Sequence, residues 1–177
     1  PEIHKKYPDA YKCLQLVNDY RVVHNVPPLD LSHSWCLVAY KHSQKMMSSD
    51  GEVEYRSLVK RIHHQYPDDD VNCSVCVIPN SVDPLRELLL MWISNPSTKK
   101  KFLSNDVQHF GFGMTVLNDK FCYVTRIIGT KTKKVKHQQP PIRSDPTQMQ
   151  YFLLTSDDSE TSDVLNPEAK SSFKLTG

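Results

Sequence analysis

Apolar residues thin out abruptly along this chain: of 68 hydrophobic side chains, 56 fall in the first 129 positions and 12 in the last 48. A core is built from buried apolar surface, so the sequence predicts one folded domain over residues 1–129 and an extended polar tail over 130–177. The tail runs from Lys131, Lys133, Lys134 and Lys136 through Pro140-Pro141 to an acidic Ser/Thr stretch, Thr155 to Asp163. A small apolar island, Tyr151, Phe152, Leu153 and Leu154, interrupts it. Lys+Arg exceed Asp+Glu by only 22 to 20, which is not the concentrated basic field of a nucleic-acid binder. No apolar run approaches the roughly 18 residues that span a bilayer, so no transmembrane segment is expected. The numbering opens with Pro1, and the N-terminus therefore gives no reading of secretion.

Inside the domain, Pro8 and Asp9 open a helical segment expected to reach about Asn25, with Leu14, Val17 and Arg21 on one face and Pro27-Pro28 as its stop. A second helix starts at a Ser32 cap, carries Trp35, Val38, Ala39, His42 and Met46 at helical spacing, and closes near Asp50-Gly51. A third carries Tyr55, Leu58, Val59, Ile62 and Tyr66, and Pro67 ends it. Val71 to Ile78 reads as a strand. Asp83 as cap and Pro84 in the first turn then open a fourth helix with Leu85, Leu88, Leu89, Trp92 and Ile93 on one face. Strands at about 109–117 and 121–128, separated by Asn118-Asp119-Lys120, form a hairpin. The expected fold class is α+β, an antiparallel sheet covered by helices.

Five cysteines, Cys13, Cys36, Cys73, Cys76 and Cys122, cannot all pair within the chain, and their wide spacing does not form a disulfide scaffold. Cys73 and Cys76 make a CxxC, but on a strand positions three apart face opposite sides, which disfavours both a bridge and a shared zinc ion. Structural thiols are the expectation. Asn72-Cys73-Ser74 fits the N-glycosylation pattern, although a strand is a poor acceptor.

Three stretches resemble one known family. Leu16-Val17-Asn18-Asp19-Tyr20-Arg21 with His24-Asn25-Val26-Pro27-Pro28-Leu29 is similar to its opening helix, written N-x-Y-R and then H-G-V-P-P-L. Lys41-His42-Ser43-Gln44-Lys45-Met46 resembles its A-H-S-x-x-M. Trp92 to Lys99, then Phe102 to Asp106, then His109-Phe110-Gly111-Phe112-Gly113 follow its W-x-x-S-P-G-H-R, L-L-N-P-D and V-G-V-G without a gap. The order matches the CAP superfamily of cysteine-rich secretory, antigen 5 and pathogenesis-related proteins, in its bacterial-like SCP-domain branch. The resemblance spans Pro8 to Gly129 and implies the α-β-α sandwich of that fold.

Family members hold a divalent metal between two histidines and two acidic residues, and here the resemblance puts other residues at those places. Thr98 stands for the histidine of S-P-G-H-R. Val71 stands for the glutamate of G-E-N, and Asn95 for the glutamate that animal members place after the tryptophan. A threonine hydroxyl and an amide are weak zinc ligands and valine is none, so the expectation is a degenerate pocket with no metal, no cofactor and no catalytic residue.

Other candidates have plainer readings beside them. His63 and His64 are adjacent and point about 100° apart on a helix, which is poor for one metal. His42 lies on an apolar stripe, where a core histidine is expected. His109 opens a strand and reads as packing. Gly111-Phe112-Gly113 lacks the helix and Lys-Ser/Thr of a phosphate loop, and no G-x-S-x-G string occurs. Lys99-Lys100-Lys101 reads as a solvated turn after Pro96, with phosphate or acidic headgroups as the alternative ligand.

The expected function is a non-catalytic binding module whose tail meets a protein partner through Lys131, Lys133, Lys134, Lys136 and Tyr151 to Leu154. A carrier of sterol or another apolar ligand is the first alternative, and a metal-dependent hydrolase with a rebuilt site the second. The odd cysteine count and the Ser/Asp stretch favour an intracellular setting, whereas family habit favours secretion.

Overall fold

Caps and prolines set where the helices begin. In a computed structural model of the protein, which describes residues 2–49 and 55–132, α2 (Pro8–Val23) has Pro8 in its first turn. The next helix, α3 (His33–Ser48), starts where the Ser32 hydroxyl accepts the Trp35 N–H at 3.2 Å. Asp83 does the same for α5 (Pro84–Ser94), taking the Arg86 N–H at 3.3 Å. For α3 and α5 a side-chain oxygen thus satisfies an amide that the first helical turn leaves without a partner. The remaining helices are α1 (Glu2–Lys6), α4 (Tyr55–Gln65) and α6 (Pro96–Phe102).

Two helix expectations are corrected here. The first long helix stops at Val23 and not near Asn25, because Asn25 turns left-handed at φ 58°. The Val26 N–H then reaches the Arg21 carbonyl at 2.9 Å and the Asn25 N–H the Val22 carbonyl at 3.0 Å, which closes the helix before the prolines are met. Lys99, Lys100 and Lys101 are not in a turn. They lie on α6, whose cap is Asn95 and whose first residue is Pro96. The second helix ends at Ser48, and Asp50-Gly51 lies outside the described residues.

The sheet has the order β1-β3-β4-β2, built from β1 (Asp30–Leu31), β2 (Asp70–Pro79), β3 (His109–Leu117) and β4 (Phe121–Thr130). Three strands are antiparallel as expected. The fourth, β1, pairs parallel to β3 at Asp30↔His109 and Leu31↔Phe110, so the sheet is mixed at that edge. The β3–β4 hairpin closes through Asn118 (φ 50°) and Asp119 (φ 55°), with the Lys120 N–H donating to the Leu117 carbonyl at 2.9 Å. Two left-handed residues in succession give a turn whose twist matches that of the strands.

β4 is flanked by a strand on each side and buried from Cys122 to Gly129, so its alternate residues enter two cores. On one face Val124 and Ile128 join Leu14, Val17, Leu88, Trp92, Phe102, Phe110 and Phe112. On the other Tyr123 and Ile127 join Trp35, Val38, Ala39, Met46, Leu58, Ile62, Cys73 and Val75. α3 lies directly on β3: a Cβ at Gly111 would run into Trp35, and one at Gly113 into the backbone of Ala39 and Tyr40. The Ser43 hydroxyl completes that contact, 2.9 Å from the Gly113 carbonyl and 3.0 Å from the Thr125 hydroxyl. No helix among the described residues is long and apolar enough to cross a membrane.

Candidate functional site

The Asn-x-Tyr-Arg string at the end of α2 ties separate parts of the chain together. Asn18 holds Leu29 in both directions, its Nδ2 donating to the Leu29 carbonyl at 3.0 Å and its Oδ1 accepting the Leu29 N–H at 2.7 Å. Arg21 is buried, and its guanidinium donates to four carbonyls: Pro27 at 2.7 Å, Phe102 at 2.6 Å, Ser104 at 3.1 Å and Val107 at 3.4 Å. A planar fork of five N–H donors fits such a set, whereas a single ammonium would not. These residues hold the loops on either side of the sheet end, and their hydrogen-bonding capacity is used in doing so.

The residues that the resemblance sets against the pocket lie on different elements, Val71 on β2 and Asn95 with Thr98 at the start of α6. Val71 is half-buried against the α3/α4 core. Asn95 and Thr98 belong to the cap and first turn of α6, whose Phe102 enters the opposite core. The Asn95 carboxamide oxygen is committed to the Ser97 and Thr98 N–H groups at 3.0 and 3.3 Å. His42 is buried within α3, His63 and His64 are exposed on α4, and among the described residues no three His, Cys, Asp or Glu side chains come together as a metal site. Valine, a capping amide and a threonine do not fit a divalent ion.

What does lie between β2, β4 and α5/α6 is a cation. Arg126 is 3% exposed, with its Cζ 5.0 Å from the Trp92 ring centroid and 5.1 Å from that of Phe102. Its Nη2 donates to Asn72 Oδ1 at 3.2 Å, while Nε and Nη1 have no hydrogen-bond partner among the described residues. Burial pulls its pKa down to about 10, so the group is still charged at neutral pH, held by aromatic faces in place of a carboxylate. Sequence reading missed this residue. The available signal was a single charge within Phe-Cys-Tyr-Val-Thr-Arg-Ile-Ile, a run apolar enough to be a strand covered on both faces.

The cysteines are all free. Cys73 enters the α3/α4 core and Cys76 packs against the other, on opposite faces of β2. Burial pushes Cys73 up to about 12 and Cys76 and Cys36 up to about 11, with Arg126 only partly offsetting it for the first two. Thiols held protonated in this way are poor nucleophiles and poor metal ligands at neutral pH.

Of the interaction residues, Lys131 is described; Lys133, Lys134, Lys136 and Tyr151 to Leu154 lie outside the described residues. Lys131 turns back onto the domain, its Nζ 3.0 Å from Ser34 Oγ and 5.2 Å from the Trp35 ring centroid. His109 sits beside the same ring at 5.9 Å, half-buried, its Nδ1 enclosed without a hydrogen-bond partner among the described residues. Burial first and Lys131 second lower its pKa, against weaker opposing effects of Asp30 and Asp69. A depressed histidine is protonated in the unfolded chain before it is in the fold, so its contribution to stability fades as the pH falls through about 6.5. A ring-proton NMR titration should accordingly place His109 below the ordinary histidine value. A midpoint at or above that value would contradict the packing described here.

A mixed sheet between helical layers, with the opening-helix clamp and the capped α5/α6 turn, defines the α-β-α sandwich class. The family model of the cysteine-rich secretory protein (CAP) family matches residues 14–125, and the chain belongs to that family. Solved structures agree on the fold. An outer surface protein of Borrelia burgdorferi superposes with TM-score 0.57 at 15% identity, covering 71% of this chain and 96% of that one. A cysteine-rich secretory protein of Staphylococcus aureus gives 0.54 at 16% identity, over 69% of this chain and 38% of that one. An extracellular protein containing an SCP domain from Bacillus anthracis gives 0.52 at 20% identity, over 70% and 41%. Among curated proteins no sequence match is found.

Proposed function

We propose that the chain is a non-catalytic CAP binding module that meets a protein partner through residues beyond the domain. The observation that carries this reading is the chemistry at the pocket positions: Val71 is an apolar side chain packed against a core, Asn95 is spent on a helix cap, and Thr98 offers only a hydroxyl. A domain without that donor set acts by presenting surface, and the Lys-rich and apolar stretches of 130–177 supply steering charge and an anchor. The apolar-carrier alternative has less support. The groove of about 610 Å³ beside α2 and the start of α5 is lined by Tyr11, Lys12, Gln15, Asn18, Asp19 and Asp83 as well as leucines, too polar a wall for a sterol.

Retrieval of partners from the native source by the full chain, by a form ending at Thr132, and by a full chain with Tyr151, Phe152, Leu153 and Leu154 replaced by Ala tests the proposal. The two altered forms should lose the partners that the full chain retains, with a melting temperature within about 2 °C of the parent's, since a stretch with few apolar side chains contributes little to a core. Equal retrieval by all three would place the contact on the helical body and defeat the reading.

A further inference from the structure

β2 is an outer strand, and which of its backbone groups face outward follows from its neighbours. The Asp30 and Ser32 N–H groups donate to the carbonyls of Gln108 and Phe110, so even-numbered residues of β3 point to β1 and odd-numbered ones to β4. Through the β3–β4 register the odd residues of β4 serve β3 and the even ones serve β2. Even residues of β2 therefore bond to β4, as the Asn80 N–H to Lys120 carbonyl bond of 2.8 Å at the strand end also requires. That leaves the N–H and C=O groups of Val71, Cys73, Val75 and Val77 directed away from β4, with Cys73 and Val75 themselves 3% and 5% exposed, and among the described residues none of the four has a backbone partner on that side. Pro79, the next odd residue, lacks an N–H at the one place where none would be used.

Guards stand only at the two ends of this edge, Asp70 at one and Pro79 at the other. Val71 to Ile78 contains no charge, no proline and no bulge, and β2 keeps an unbroken register with β4 over its ten residues. Such a strand is a template for another. Its charges are confined to Asp68, Asp69 and Asp70 at one end.

We infer that β2 pairs with β2 of a second copy of this chain, antiparallel across a two-fold axis at Ser74, giving one continuous eight-stranded sheet. The charge pattern selects this arrangement. A parallel copy would stack the three aspartates against each other, whereas the antiparallel one sets Asp68, Asp69 and Asp70 opposite Asn80, Pro79 and Ile78. Centring on Ser74 also pairs Val71 with Val77 and Cys73 with Val75, so all four outward residues exchange both bonds and Pro79 is left out. A centre on Val75 would set Val71 against Pro79 and lose a donor. A folded copy suits the edge better than a bare peptide, because it brings its own helical layers to cover both faces of the added strand.

Sedimentation of the full chain across a concentration series tests the pairing. The mass should rise from 20.4 kDa towards twice that value, and protection of the Val71, Cys73, Val75 and Val77 amides in hydrogen exchange should rise with it. Val77→Lys, at a side chain already 38% exposed, should fold and remain monomeric. Ser74→Cys should give a disulfide-linked dimer under mild oxidation, since facing residues of a non-hydrogen-bonded pair lie within bridging distance, and the parent treated alike should not. A monomer at every concentration overturns the inference, whether its edge amides exchange freely or are protected by another segment of the same chain or by a different protein. So does a dimer that survives Val77→Lys without a Ser74→Cys cross-link.

Discussion

Replacing Arg21 by alanine should cost about 4 kcal/mol or more, close to the whole stability of a marginal domain. The variant loses donors to four carbonyls at 2.6 to 3.4 Å and leaves those acceptors facing a cavity. Bonds from a charged donor each contribute roughly 1.5–3 kcal/mol, and an abandoned buried acceptor costs a further share. Arg21→Lys should recover less than half, because one ammonium cannot reach Pro27, Phe102 and Val107 together. Urea unfolding of the three proteins measures this. A loss below about 1.5 kcal/mol for the alanine variant would mean that the loops hold themselves.

Trp92→Ala should be nearly as damaging, at roughly 3–5 kcal/mol. The indole is 4% exposed, its centroid 5.6 Å from that of Phe102 and 6.3 Å from that of Phe112, with Leu85 and Leu88 on the same helix face. Truncation empties this space and also removes one of the two aromatic faces that hold Arg126, leaving a buried cation with less compensation. Trp92→Phe should therefore retain more stability than cavity size alone suggests. Denaturant unfolding of both variants separates the two contributions, and an alanine variant that unfolds like the parent would remove Trp92 from the core.

The parts of the fold that were legible in the sequence are those fixed by neighbours in the chain. Ser32 and Asp83 announce helix starts because the oxygen that caps an amide lies two or three residues from it, and Asn118-Asp119 announces a hairpin because those residues tolerate positive φ. β1 was illegible: two residues carry no periodicity, and their pairing with His109 and Phe110 is entirely tertiary. α6 was hidden by Lys99-Lys100-Lys101, which carry no apolar stripe, although Asn95-Pro96 is a helix start by the same rule that found α5.

The site divides in the same manner. Which residue types stand at Val71, Asn95 and Thr98 is plain from the string, but that Val71 faces one core while α6 closes over the other depends on how a helix is laid across a sheet. Leu14, Val17 and Arg21 were read on one face of the helix, and all three are buried. Apart from Pro27, six residues on, the partners of Arg21 lie 81 to 86 residues further along the chain and could not be read locally.

The seat of α3 on β3 limits how this domain can deform. Where helices meet through interlocking side chains, small sliding motions are possible, because rotamers can adjust to a new registry. At Gly111 and Gly113 there is no side chain to adjust, and helix backbone lies against strand backbone with the Ser43 hydroxyl bridging them. Sliding α3 by one turn would drive other side chains into the strand, so α3, β3 and β4 move as a single plate. Sliding between layers is left to the elements seated on side chains, α4 on one face and α5 with α6 on the other.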